Sequence, residues 1–282
     1  MAELALSTFN YPELVVGALS TSQAWLTEVA KYENGLPPMG IGTSQVNYMT
    51  APDVTWVTKG GTSVIANSAN ATVGSQTTAQ AYMPVELYDY ELERQTPLMV
   101  QNLIKKQSDA VLAAVEGILA DAFVSATITT NTQTLVSPND NFADLSDAMP
   151  KLNALIGQVR SKNGGRNPGW IVLGEDAYGR VLGASPYLYG GLNLMSEIPT
   201  YLNIPLFPII PTTSSGMNGD ADPCGWVGAK DAVNFAWSAA DVGEGFVKDV
   251  STGLYRLPLS FTVTYGLNEV SKLMGEMINA TS

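Results

Sequence analysis

Between Gly60 and Val85 the chain carries no Asp, Glu, Lys or Arg, yet the stretch is built from Ser, Thr, Asn, Gln and Ala rather than Leu and Ile. Its end is extended: in "TTAQAYMPVELYDYELE" Ala79, Ala81, Met83, Val85 and Leu87 recur at strict period two, with Tyr82, Glu86, Tyr88 and Tyr90 on the opposite face. Ahead of it "TWVTKGGTSVIAN", Thr55 to Asn67, alternates apolar and polar residues around Lys59-Gly60-Gly61 and predicts two strand segments about a turn. Pro84 removes one ladder donor, which suits an edge strand. Such an arm is too polar for a core and too uncharged for an ordinary sheet edge, which charged residues keep soluble. The chain is thereby restricted to folds in which an extended arm rests on something other than its own core.

The remainder has the means to fold. With 282 residues, 29.9 kDa and 45% hydrophobic residues it can bury one large core or two modest ones. A net charge of -12 and a pI near 4.3 exclude tight non-specific binding to nucleic acid, which depends on Lys and Arg neutralising phosphates. Histidine is absent, which removes the usual general base, pH switch and commonest transition-metal ligand. Cys224 is the only cysteine, so neither an internal disulfide nor a thiolate zinc site can be built, and a reducing, cytoplasmic place of synthesis is expected. No Lys or Arg precedes Lys31, so no secretory signal is expected. The charge-free run from Ile198 to Gly219 is broken by Pro199, Pro205, Pro208 and Pro211, and so predicts strand and loop rather than a membrane span.

Periodicity organises the rest. Residues 1–52 read as an arm with one or two short helices, most securely from Ser22 to Tyr32, followed by the structure-breaking "GLPPMGIGTS". After the extended stretch, Thr96 to Thr127 predicts one long helix with Thr96 as N-cap and Pro97 at the first helical position. Its apolar stripe is Ile104, Val111, Val115, Ile118 and Ala122, with Leu103, Leu112 and Leu119 beside it. Some 30 residues at 1.5 Å rise make a rod of roughly 45 Å, which needs something long to lie against. Gly117 within it points to close packing, since Gly costs about 1 kcal/mol relative to Ala. A second helix in "ADLSDAMPKLNALIGQVRSKNGG" uses Leu152, Leu155, Ile156 and Val159 as its apolar face and ends before Gly164. Trp170 to Leu173 reads as a buried strand followed by a short helix, and "NIPLFPII", "GWVGAKDAVNFAWS" and "GFVKDVSTGLYRLPLSFTVTYGLNEV" supply further strands. The tail "SKLMGEMIN" fits no single template. The fold class is α+β.

Chemistry is sparse. Ser-His-Asp and Cys-His systems are impossible without histidine, and no G-x-S-x-G elbow is present. "GIGTSQ" lacks the final glycine of a dinucleotide loop and reads as a turn. Asn218, Asp220 and Asp222 could offer oxygens to calcium, but the rest of a hand loop is missing and solvated turn residues are the better account. Glu86, Asp89, Glu91 and Glu93 could supply the paired carboxylates of a glycosidase, but acidic residues before a helix N-terminus have a simpler electrostatic reason. Lys59 at a projecting tip could reach a carboxylate or amide of a neighbouring molecule, or simply keep the edge soluble. Lys105 and Lys106 fit a solvated or subunit-contact face better than a phosphate site. No cofactor and no metal are implied.

Taken in order, an N-terminal arm, the two-stranded "TWVTKGGTSVIAN" to "AYMPVELYDY", the long helix "TPLMVQNLIKKQSDAVLAAVEGILADAFVSAT", the unit around "GWIVLGEDAYGRVLG", "IPLFPIIP" and "GWVGAKDAVNFAWS" resemble the HK97-type major capsid proteins of tailed bacteriophages. The resemblance spans nearly the whole chain. It implies an N-terminal arm at 1–52, an E-loop at 53–92, a peripheral domain with the spine helix at 93–140, a mixed α/β axial domain at 141–255, and a C-terminal strand and tail at 256–282 returning to the peripheral domain. It further implies a homo-oligomer, hexamers and pentamers forming an icosahedral head around double-stranded DNA that is enclosed without sequence-specific binding. Assembly in the host cytoplasm, a portal, a terminase acting through it, a separate scaffolding protein and a decoration protein belong to the same implication, and a membrane does not. Trp56, Lys59, Val64, Ile65, Tyr82, Lys105 and Lys106 are the expected assembly contacts. Some members join a loop lysine to an asparagine of another subunit, and Lys59 is placed for this, but no partner asparagine or assisting glutamate can be identified. Two other readings stand beside this one: an encapsulin-like compartment, which resembles the same fold and encloses a cargo enzyme, and a carbohydrate-active enzyme working with Asp and Glu.

Overall fold

The computed structural model describes residues 31–32, 42–49, 71–88, 106, 110, 113, 116–126, 128–184, 190–194, 198–209, 222–241, 247–249, 251–252, 254–267 and 270–281. In the strands at 31–32, 42–49, 71–88, 234–241, 247–249 and 254–265 the description is of the backbone.

Two sheets and four helices carry the described chain. One sheet has the order β1-β10-β12-β3-β2, formed by Lys31–Tyr32 (β1), Gly42–Met49 (β2), Ala71–Tyr88 (β3), Val233–Asp241 (β10) and Leu254–Leu267 (β12), with Val247–Asp249 (β11) also on β12. At about 3.3 Å per residue, the 18 residues of β3 make a ribbon of roughly 60 Å. β3 lies between two antiparallel partners: Thr77 to Tyr88 pair with β12, and Ala71 to Thr78 pair with β2.

That ladder corrects the sequence-based expectation in three places. Residues 42–49, the first three of which were expected to break regular structure, form a strand; Lys31 and Tyr32, expected to end a helix, form one too, parallel to β10. "GTSQVNYM" has little β signal because its side chains are mostly polar, and its place is set by backbone pairing with β3. Pro84 is at an edge only in part. Opposite it in the register is Pro258, and facing prolines lose no ladder bond where both nitrogens point away from the partner strand. On the far side of β3 the β2 ladder has ended at Thr78, and on the far side of β12 Pro258 falls between the ladder of β10, which ends at Leu259, and that of β11, which begins at Arg256. The expected turn at Lys59-Gly60-Gly61 and the strands around it lie outside the described residues.

The second sheet has the order β4-β13-β9-β5-β8-β7-β6. Its strands are Thr132–Thr134 (β4), Trp170–Gly174 (β5), Leu192–Asn193 (β6), Thr200–Tyr201 (β7), Ile204–Ile209 (β8), Pro223–Gly228 (β9) and Met274–Ile278 (β13). Its two faces are covered differently. Ile171, Leu173, Gly225, Val227, Gly275 and Met277 share one face through the registers of β5, β9 and β13. Against it lies α2, Leu145–Lys162, whose Leu152, Leu155, Ile156 and Val159 are all buried as their spacing predicts. Each such side chain contributes roughly 1.5–3 kcal/mol by leaving water. Gly275 is small by necessity, since a Cβ there would sit 2.5 Å from Leu155 Cδ1.

Trp170, Val172, Trp226, Gly228, Met274 and Glu276 form the other face. The helical residues 116–125 (α1) cover it: Leu119, Ala120 and Phe123 are fully buried, and the Phe123 ring meets Trp170 edge-on at 5.5 Å and Trp226 at 5.8 Å. The long helix predicted over 96–127 is therefore described at its C-terminal part, with Lys106, Ala110 and Ala113 also helical and exposed. Its buried face is rotated from the expected stripe, because Ile118 and Ala122 are only half-buried while Gly117 is buried.

Local signals account for the ends of α2. Asp144 is the N-cap, its carboxylate accepting from Ser146 N at 3.0 Å and Ser146 Oγ at 2.6 Å. At the other end Asn163 N donates to Val159 O and Gly165 N to Arg160 O, with Gly164 and Gly165 at φ +64° and +81°. The short helix after β5 is Glu175–Leu182 (α3), and α4, Val270–Leu273, leads into β13.

Candidate assembly surface

Of the residues expected to make assembly contacts, Tyr82 lies in β3 opposite Ser260 of β12, and Lys106 is helical and exposed. Trp56, Lys59, Val64, Ile65 and Lys105 lie outside the described residues, so the structure does not bring the set together. Glu86, weighed above with the acidic cluster, takes the register position opposite Arg256, where cross-strand charges of opposite sign are favourable. Asp222 contributes its carbonyl, which accepts from Asn279 N at 2.9 Å.

The residues that tie the domain together were not legible as a group. Asn141 and Asn279 form a reciprocal pair: Asn141 N donates to Asn279 Oδ1 at 3.0 Å, and Asn279 Nδ2 to Asn141 Oδ1 at 2.9 Å, all buried. Arg180 of α3 donates to the carbonyls of Asp140 and, at 2.8 Å, Asn141. These bonds hold a loop in which Asn139, Asn141 and the fully buried Phe142 all have positive φ, a costly conformation for an aromatic residue. Asn131 makes an equivalent clasp from the turn before β4, donating to Ser271 O at 3.2 Å and Met274 O at 2.8 Å, while Glu276 N donates to Asn131 O at 2.9 Å.

Glu276 is the unusual group. It is 8% exposed, lies between Trp226 on β9 and Thr132 on β4, and desolvation pushes its carboxyl up to about 7 against a hydrogen bond with Thr132. The available signal was a lone acid in the otherwise apolar "LMGEMI". Cys224 is buried and its thiol is pushed up to about 12 by desolvation and by nearby Asp140, which leaves it an inert thiol.

Among the described residues no group of three or more His, Cys, Asp or Glu is arranged to hold a metal ion, and no helix is long and apolar enough to cross a membrane. What the described chain offers is a two-sided core, a long ribbon and charged ends.

No protein-family model matches the sequence, and no curated protein matches it. Solved structures do. A chain from Mycobacterium phage Adephagia superposes with a TM-score of 0.55 at 11% identity, covering 93% of this chain and 91% of that one. The capsid of a native GTA particle gives 0.58 at 12% identity over 92% and 91%, and the capsid of cyanophage P-SCSP1u gives 0.52 at 12% over 90% and 88%. At these identities the shared property is the fold, which is the HK97-like α+β fold.

Proposed function

We propose that this chain is the major capsid protein of a tailed, double-stranded DNA bacteriophage, a structural protein that self-assembles as hexamers and pentamers into an icosahedral head. The observation that carries the reading is similarity over some nine-tenths of the chain to structures that include two capsids. Coverage of that extent makes a borrowed subdomain an inadequate account. The composition agrees, since a shell with a net charge of -12 per subunit encloses DNA without gripping it.

On this reading 53–92 is the E-loop, β3 forms its return limb, and Trp56, Lys59, Val64 and Ile65 meet an adjacent subunit, as do Tyr82, Lys105 and Lys106. The absence of charge from Gly60 to Val85 then avoids the desolvation that charged groups would suffer in an intersubunit contact. Residues 1–52 are the arm, 93–140 the peripheral domain, 141–255 the axial domain, and 256–282 the returning strand and tail. The partners are a portal, a scaffolding protein and a decoration protein, and the location is the virion.

The test compares assembly with folding. Trp56→Ala is expected to abolish shells in negative-stain images while leaving the subunit's melting temperature close to wild type. Equal loss of both would make the arm part of the subunit's own core and remove the support it gives to this reading.

A further inference from the structure

α2 is polarised along its length, with Asp144 and Asp147 at its start and Arg160 and Lys162 at its end. The helix macrodipole favours that order. The polarity continues beyond the helix. At the end of the second sheet where α2 stops, the turn 163–169 adds Arg166, the 3-10 turn Lys230–Ala232 adds Lys230, and α4 adds Lys272. These segments are tied to one another: Lys162 Nζ donates to Ser271 O at 3.5 Å, Ala229 N to Leu273 O at 2.9 Å and Gly169 N to Gly228 O at 2.8 Å. Gly169 lies so close to Lys230 that a Cβ on it would sit 2.3 Å from Lys230 Cγ.

Arg160, Lys162, Arg166 and Lys230 are all exposed, and no carboxylate among the described residues pairs with any of them. Arg160 Nε and Lys162 Nζ donate to backbone carbonyls. Asp231 and Lys272 are already engaged within the chain. Four exposed cations of a chain that has 14 basic against 26 acidic residues thus share one surface, where Asp231, next to Lys230, is engaged within the chain. The opposite end has the opposite sign. There β5 runs into α3, whose first residues Glu175 and Asp176 are exposed, and Asp144 is exposed at the start of α2. Asp147 is shared with Lys151 at 2.7 Å, and Arg180 is directed to the Asp140 and Asn141 carbonyls.

We infer that the basic end formed by Arg160, Lys162, Arg166 and Lys230 docks on the Asp144, Glu175 and Asp176 end of a second copy of the same chain. The two patches are different surfaces at opposite ends of one sheet, so the contact is heterologous. Repeated, such a contact closes a ring where the rotation between copies closes, as the pentamers and hexamers proposed above require, and gives an open filament where it does not. Opposite charges facing each other would set the register between copies and speed their encounter. A polyanion is a poorer occupant, since the whole subunit repels one. The inference rests on the self-assembly proposed above.

The experiment is a charge swap in the full chain, expressed with whatever scaffold the wild type requires, and read by sedimentation and negative-stain microscopy. Arg160→Glu with Arg166→Glu, and separately Glu175→Lys with Asp176→Lys, should each lower the assembled fraction about tenfold, while circular-dichroism melting falls by no more than the few degrees expected of charges set against the helix dipoles. All four together should restore assembly. Wild-type yields from each reversal, or a quadruple variant no better than the reversals, would overturn this contact while leaving the capsid reading in place. Reversals that assemble normally but lower the DNA content of particles would put DNA at the basic end and overturn it as well. A wild-type chain that never assembles would overturn both.

Discussion

Glu276→Gln isolates a stability term that ordinary carboxylates do not supply. The folded chain holds this carboxyl at about 7, against an ordinary value of 4.5, because burial beside Trp226 disfavours the charge. The folded state therefore binds the proton more tightly than the unfolded state. The stability this contributes is complete below pH 4.5 and is lost as pH rises through 7. At 1.36 kcal/mol per pH unit the full difference is roughly 3 kcal/mol, and screening by solvent that reaches the partly buried carboxyl reduces it to about 1–2 kcal/mol. Glutamine keeps the shape and can donate to the Thr132 hydroxyl, but it does not titrate. Urea unfolding of the dissociated subunit at intervals from pH 4.5 to 8.5 should show the variant gaining about 1–2 kcal/mol on the wild type across that range. Comparing the two proteins cancels the pH dependence of the other acids. Parallel curves would refute the reasoning, because they would mean that Glu276 titrates alike in both states.

Other consequences follow from the packing. Gly228→Ala places a Cβ 2.1 Å from Trp170 Cζ2, and the indole cannot swing away without losing the bond from its Nε1 to Ala229 O; a loss of about 1–3 kcal/mol is expected, read as a melting temperature lower by several degrees. Leu155→Ala opens a hole between α2 and Gly275 and should cost about 2–5 kcal/mol in urea unfolding, whereas a cost below 1 would mean that α2 settles onto the sheet. Asn279→Ala leaves the buried Asn141 amide without its partner and should cost about 1–3 kcal/mol, with protease cleavage after Phe142 becoming faster as the strained loop is released. Cleavage rates equal to wild type would show that the Asn pair does not hold that loop.

How far the sequence discloses this structure depends on whether a segment is governed by its own side chains. α2 was legible because Leu152, Leu155, Ile156 and Val159 repeat at helical spacing between an Asp cap and paired glycines. β5 was legible because Trp170 to Leu173 are buried on both faces and form an unbroken apolar run. β2 was not, because its mostly polar residues owe their conformation to β3. The hairpin joining β7 to β8 hid for a similar reason. Leu202 and Asn203 both take positive φ, and leucine is not a residue that advertises such a turn. "SKLMGEMIN" divides into α4 and β13 at Met274, a boundary fixed by β9 and β4 rather than by local preference. For the candidate surface the limit was sharper. Arg160 and Arg166 are near neighbours in sequence, but Lys230 joins them only because β9 returns beside β5.

The most direct measurement of the central claim is cryo-electron microscopy of the overexpressed chain, alone and with a co-expressed scaffolding protein. The account predicts closed shells or capsomers of five and six subunits, with residues 53–92 lying across a neighbouring subunit. A stable monomer under both conditions would contradict it.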